Sequence, residues 1–155
     1  MLTVFLAWLM ACGTPTPPVA PVEGNTAPSI SAMEISGAAF SLNQHRGTPV
    51  VLVFWASWCG PCRQETPEVA ELVAHYGDRV SVVGVNAGES PAVAARAAQS
   101  WSISWPVVVD PDARIQQDYR VDAIPLVVMV DKVGVIRYRG LGMPHNATEI
   151  LDGLL

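Results

Sequence analysis

Cys59 and Cys62 stand three positions apart in Trp58-Cys59-Gly60-Pro61-Cys62, a spacing at which two thiols can form and break a disulfide within one helical turn. The run Val50-Val51-Leu52-Val53-Phe54-Trp55 precedes them, rich in β-branched and aromatic residues, and predicts a fully buried strand. Beyond the second cysteine, Val69, Leu72, Val73 and Tyr76 recur at i, i+3, i+4 and i+7, the stripe of an amphipathic helix packed on a sheet. Cys59 is thereby placed at a strand-to-helix junction. The first turn of a helix carries unsatisfied N–H groups and the positive end of the aligned peptide dipoles, and both favour a thiolate over a thiol. A free cysteine titrates near pH ~8.5, and helix N-termini in such motifs lower this to roughly 3.5–7.5. Cys59 is therefore the expected nucleophile. Cys62, one turn further in and expected to be less exposed, is the resolving thiol.

Other uses of the pair fit less well. A structural zinc site needs about four ligands, and the chain offers this one close pair plus three scattered histidines, His45, His75 and His145, so no metal is expected. Attachment of a c-type haem requires histidine directly after the second cysteine, where Arg63 stands. A purely structural disulfide across two residues would constrain the unfolded chain little. No cofactor beyond a redox-active Cys59–Cys62 disulfide is expected.

The segment from Phe54 to Pro67, Phe-Trp-Ala-Ser-Trp-Cys-Gly-Pro-Cys-Arg-Gln-Glu-Thr-Pro, resembles the active-site segment of thioredoxin-fold proteins. It is similar, more narrowly, to the extracytoplasmic thiol-disulfide oxidoreductases of the TlpA and ResA group, and the likeness runs from about Ala27 to the C-terminus. A second landmark is Val121-Asp122-Ala123-Ile124-Pro125. The resemblance implies that Pro125 is cis and faces the cysteines, and that Trp58, Gly60, Pro61, Ile124 and Pro125 shape a client groove. It implies protein clients carrying disulfides, apocytochrome c among them, and a membrane electron donor. Cytoplasmic thioredoxins carry a buried aspartate where Val53 stands, so the proton must be handled elsewhere. The group commonly has a glutamate at the place of Glu65. Glu65 also shares the stripe of Cys62, Val69, Leu72 and Tyr76, where partial burial would raise its pKa toward neutrality. Leu126 departs from the threonine common in relatives, and Glu89 resembles a recurring acidic position that reads as a solvated loop residue.

The remaining elements are read from local signals. Glu34 to Leu42 predicts an N-terminal strand pair, and Val80 to Val85 the next buried strand. Ser90-Pro91 predicts a capped helix through Ser100, an element that thioredoxin lacks and the TlpA and ResA group has. Pro106 to Val109 reads as a strand and Asp110-Pro111 as a cap-plus-proline start of a helix to Tyr119. Leu126 to Val130 and Val135 to Arg139 flank a hairpin turn. Asn146 with Glu149 predicts a capping box at a last helix. The expected fold is α/β: a thioredoxin fold with a mixed central sheet flanked by helices, an N-terminal hairpin and an inserted helix.

Three regions are expected. Residues 1–12 read as a signal segment, apolar and uncharged through Met10, ending in Leu9-Met10-Ala11-Cys12, which resembles a lipobox with Cys12 as the acylated residue and hence a membrane anchor. Residues 13–28, with five prolines, read as an extended tether with a reach on the order of 50 Å. Residues 29–155 form one domain, large enough for a single core. A net charge of -5 and the lack of any Lys/Arg run exclude an electrostatic footprint for nucleic acid.

The expected activity is reduction of client disulfides outside the cytoplasm. The Gly-Pro pair between the cysteines resembles that of thioredoxin, a reductant with a potential of about -270 mV, against about -120 mV for the oxidant DsbA. Two alternatives carry their own signatures. A thiol peroxidase of peroxiredoxin type needs threonine where Ala56 stands, and a redox-silent binding module would have no use for both cysteines.

Overall fold

The computed structural model describes residues 16–155. The signal segment and Cys12 lie outside the described residues. Five strands form the central sheet, in the order β5 (Val107–Asp110), β4 (Ser81–Ala87), β3 (Val50–Trp55), β6 (Leu126–Val130), β7 (Ile136–Leu141). The first three run parallel, and β6 and β7 are antiparallel to their neighbours. A separate hairpin, β1 (Ser31–Met33) with β2 (Ala39–Ser41), precedes them.

Every residue of β3 is buried, which explains the unbroken apolar run: a central strand covered on both faces has no polar side. Val50, Leu52 and Phe54 pack with Val83, Val85, Val128, Ile115 and Tyr119 on one face. Val51 and Val53 face the other way, onto Val69, Leu72 and Tyr76 of α1 (Gly60–Tyr76) and Leu151 of α4 (Ala147–Asp152). The parallel pairs require crossovers, and α1 and α2 (Pro91–Ser100) supply them. Ser90 caps α2 through its side chain, accepting from Val93 N at 3.4 Å, with Pro91 behind it as the motif predicts.

Gly84, in the middle of β4, has its physical reason on the α1 side of the sheet. A Cβ there would lie 2.9 Å from Trp55 Nε1 and 3.3 Å from Val107 Cγ2, so only glycine lets the indole cross the strand.

Four sequence expectations need correction. The hairpin sits earlier than Glu34 to Leu42, because Gly37 with φ +86° makes the turn and the strands pair on either side of it. The helix after Asp110 is the short α3 (Arg114–Asp118), and Asp110 itself ends β5. Its carboxylate still caps that helix from a distance, accepting from Ile115 N at 3.1 Å and Gln116 N at 2.9 Å. Asn146 stands at the start of α4 but makes no side-chain capping bond.

The largest correction concerns the tether. Residues 17–28 are no free spacer: they lie along the edge of the sheet. Gly24 N donates to Ile136 O, Ile136 N to Asn25 O and Ala27 N to Gly134 O, each at 2.9 Å. Pro18 O accepts from Thr26 N, and Glu23 accepts from Arg139 N at 3.0 Å. Tyr119 Oη donates to Pro28 O at 2.7 Å, and Pro21, Ala27 and Pro28 are buried. The cause is the outer edge of β7, whose open N–H and C=O groups need partners, while prolines tolerate an edge because they have no donor to lose. The extended reach expected from composition does not apply to these residues.

Candidate active site

Cys59 is the N-cap of α1, between the end of β3 and the helix. The turn closes through Cys59 N donating to Ala56 O at 3.0 Å. Cys59 Sγ accepts from Cys62 N at 3.2 Å, so one orphan donor of the helix start already points at this sulfur. Pro61 in the first turn sacrifices no intrahelical bond, since that N–H would be unpaired anyway. The two sulfurs form a disulfide, with Cα atoms 5.3 Å apart. Both cysteines are 4% exposed, so the expected difference in burial is absent. What distinguishes them is direction, because Cys59 Sγ lies 3.8 Å from Ile124 O. Cys62 packs with Trp55, Ala98 and Val107, backed by Trp101, whose ring centroid is 5.0 Å from that of Trp55.

The Ile124–Pro125 bond is cis, and its loop faces the cysteine pair. Pro125 O accepts from Gly142 N at 2.9 Å, which ties this loop to the chain leaving β7. Trp58 stands 73% exposed beside a buried sulfur, and Leu141 is 69% exposed at the start of the same chain exit. Gly60 and Pro61 are exposed at the helix tip. The groove residues named from the sequence are thus brought around one sulfur.

Glu65 lies one turn beyond Cys62 and is half-buried. Its Oε1 accepts from Met143 N, and its Oε2 is buried with no hydrogen-bond partner among the described residues. Burial raises its pKa, the Met143 N–H opposes this, and the neighbouring charge of Glu68 adds to the rise. The carboxylate therefore grips the chain after β7 and forms no hydrogen bond to Cys62 in this oxidised state.

Sequence reasoning passed over Glu89, which is no solvated loop residue. Its Oε2 accepts from Ser57 N at 2.7 Å and from Asn86 Nδ2 at 2.8 Å, and its Oε1 accepts from the Ser57 hydroxyl. Burial would raise its pKa, but the hydroxyl, the backbone N–H and the amide together hold it below the usual carboxylate range. Glu89 thus clamps the turn that presents Trp58 and Cys59. The signal was present in Asn86, three residues upstream, and in the parallel pairing of β3 with β4, which brings the loops after both strands to the same end of the sheet.

A disulfide at a helix N-terminus, facing a cis-proline loop at one end of a mixed five-stranded sheet, defines a thiol-disulfide oxidoreductase of the thioredoxin fold. Residues 22–155 match the Redoxin family, and the chain belongs to it. It is 38% identical over 118 residues to the thioredoxin-like protein YneN of Bacillus subtilis, covering 74% of this chain and 69% of that one. It is 31% identical over 115 residues to the thiol-disulfide oxidoreductase ResA of Geobacillus kaustophilus, covering 74% of this chain and 66% of that one. The chain therefore spans about two thirds of the length of these relatives. The thioredoxin domain of a Bacteroides vulgatus thiol-disulfide oxidoreductase shares the fold with a TM-score of 0.78, at 23% identity over 86% of this chain and 99% of that one.

Proposed function

We propose that this chain is an extracytoplasmic reductant of disulfides in client proteins. The observation that carries the reading is the position of Cys59 Sγ, at the helix N-terminus and 3.8 Å from the carbonyl before the cis-proline. In the reduced form, the Cys59 thiolate attacks one sulfur of a client disulfide. The S–S bond breaks, the other client sulfur leaves as a thiolate, and a mixed disulfide joins client and Cys59. Cys62, as thiolate, then attacks Cys59 Sγ, releasing the second client thiolate and forming the Cys59–Cys62 bond. The client gains two electrons and the chain loses two. A membrane dithiol donor must return them before the next turnover.

The helix N-terminus favours the Cys59 thiolate, which attacks the client disulfide and leaves again when the donor reduces the Cys59–Cys62 bond. Glu65, with its raised pKa one turn from Cys62, takes the proton that Cys62 must lose for the second step. An extended client segment lies beside Ile124 and Pro125, where an open backbone edge can pair with it. Apocytochrome c fits such a client. The apolar segment ending at Cys12 supports export and a lipid anchor.

Insulin reduction with dithiothreitol as electron source tests the activity. Turnover is expected for the native chain and none for Cys59→Ser. Equal turnover in both would end the reading. Labelling with a palmitate analogue, lost on Cys12→Ser, tests the anchor.

A further inference from the structure

A groove of about 390 Å³ runs between α1 and the segment leading into α4. Leu72, Met143, Pro144 and Ala147 give it apolar lining, Glu68 and Glu71 of α1 its acidic lining, and His75, His145 and Thr148 complete it. Both glutamates are exposed, and neither forms a salt bridge among the described residues. Nothing in the redox step uses this groove, yet it is continuous with the client surface. Pro125 O holds Gly142 N, the next residue, Met143, is held by Glu65, and Met143 is also part of the groove lining.

We propose that this groove is a second client subsite, which takes an apolar residue and a neighbouring Lys or Arg of the segment being reduced. The proposal deepens the reductase reading and rests on it. Distance supports it first. Thirteen positions of helix separate Cys59, which bonds the client sulfur, from Leu72, which at about 1.5 Å per residue is roughly 20 Å. An extended client covers that span in about six residues at roughly 3.3 Å each. Charge supports it second. Glu68 and Glu71 sit on a chain with net charge -5, so an acidic client segment meets repulsion at these carboxylates and a basic one attraction. The small apolar lining sets the anchor, and the carboxylates select a positive charge on the adjacent client residue.

The test uses the purified, pre-reduced full chain in detergent and short peptides with a central cysteine capped as a mixed disulfide with thionitrobenzoate. Attack of Cys59 on the peptide sulfur expels the coloured thiolate, so the rate is read directly. The peptides carry leucine and then either Lys or Glu about six residues from the cysteine, on its N-terminal or C-terminal side. On one of the two sides the Lys peptide should react about three- to tenfold faster than its Glu counterpart at low salt, the size of one or two exposed ion pairs. High salt should erase the ratio. The double variant Glu68→Gln with Glu71→Gln should also erase it, while reacting normally with the free aromatic disulfide. A ratio near one on both sides, or one that survives the double variant, overturns the subsite while leaving the reductase reading intact. No reaction with the small disulfide or any peptide overturns both.

Discussion

Glu89 offers the sharpest test of how the fold presents its nucleophile. Replacing it by alanine removes the acceptor for Ser57 N, for the Ser57 hydroxyl and for Asn86 Nδ2. Hydrogen bonds to a charged group contribute about 1.5–3 kcal/mol each when dry, but the site is only partly buried and water can replace part of what is lost. The net cost at neutral pH is then about 2 kcal/mol. For a domain of this size that is a fall in Tm of about 4–8 °C. The pH dependence has a definite sign. An acid held below its ordinary value of 4.5 contributes fully above that pH and loses its contribution as the pH falls through the folded-state value. The Tm difference between native chain and Glu89→Ala, measured by calorimetry on the oxidised protein, should therefore be large at pH 7 and smaller at an acid pH well below 4.5. A Ser57→Ala partner should lose most of its own effect in the Glu89→Ala background, with a coupling of about 1 kcal/mol. A Tm gap that is the same at both pH values, or full additivity with Ser57→Ala, would show that the carboxylate does not clamp this turn.

Three further outcomes are expected. Gly84→Ala places a Cβ 2.9 Å from Trp55 Nε1, so urea unfolding should show a loss of about 1–3 kcal/mol from overpacking, and a neutral result would refute the contact. Tyr119→Phe removes the donor to buried Pro28 O, so the edge segment should become cleavable by protease before Ser29 and stability should fall by about 1–3 kcal/mol. Burial raises the pKa of Glu65 above 4.5, so the native fold is disfavoured as pH climbs past that value. Glu65→Gln should accordingly gain stability relative to the native chain between pH 4.5 and neutrality, while its resolution step, followed by release of a mixed-disulfide peptide, slows near pH ~7. A stability difference independent of pH, with an unaltered resolution rate, would remove Glu65 from the proton step.

The cysteine pair, the buried strand before it and the helix after it were legible in the sequence because each is a local matter. Six consecutive apolar residues cannot sit at a surface, and a stripe with helical period needs a sheet to cover it. Ser90-Pro91 likewise announced α2 through the chemistry of a cap and a preset φ. Signals of the same kind misplaced the start of α3, where Asp110 acts as a cap across an intervening turn, because a side chain's reach is not fixed by its position in the chain. Glu65 was named from the family resemblance, with its place on the stripe of Cys62 in partial agreement, but its hydrogen bond runs to Met143, a partner 78 positions away that no local pattern could reveal.

Composition determined the chemistry this chain can carry: two thiols at a helix start, with no basic run for nucleic acid. Only the tertiary structure decided which acids surround them and where the proline-rich segment goes. Glu89 becomes a clamp because parallel strands end side by side, and residues 17–28 become an edge strap because β7 would otherwise leave its backbone unpaired. Both depend on contacts between segments distant in the chain, and such contacts are set by strand order, which neither periodicity nor capping encodes.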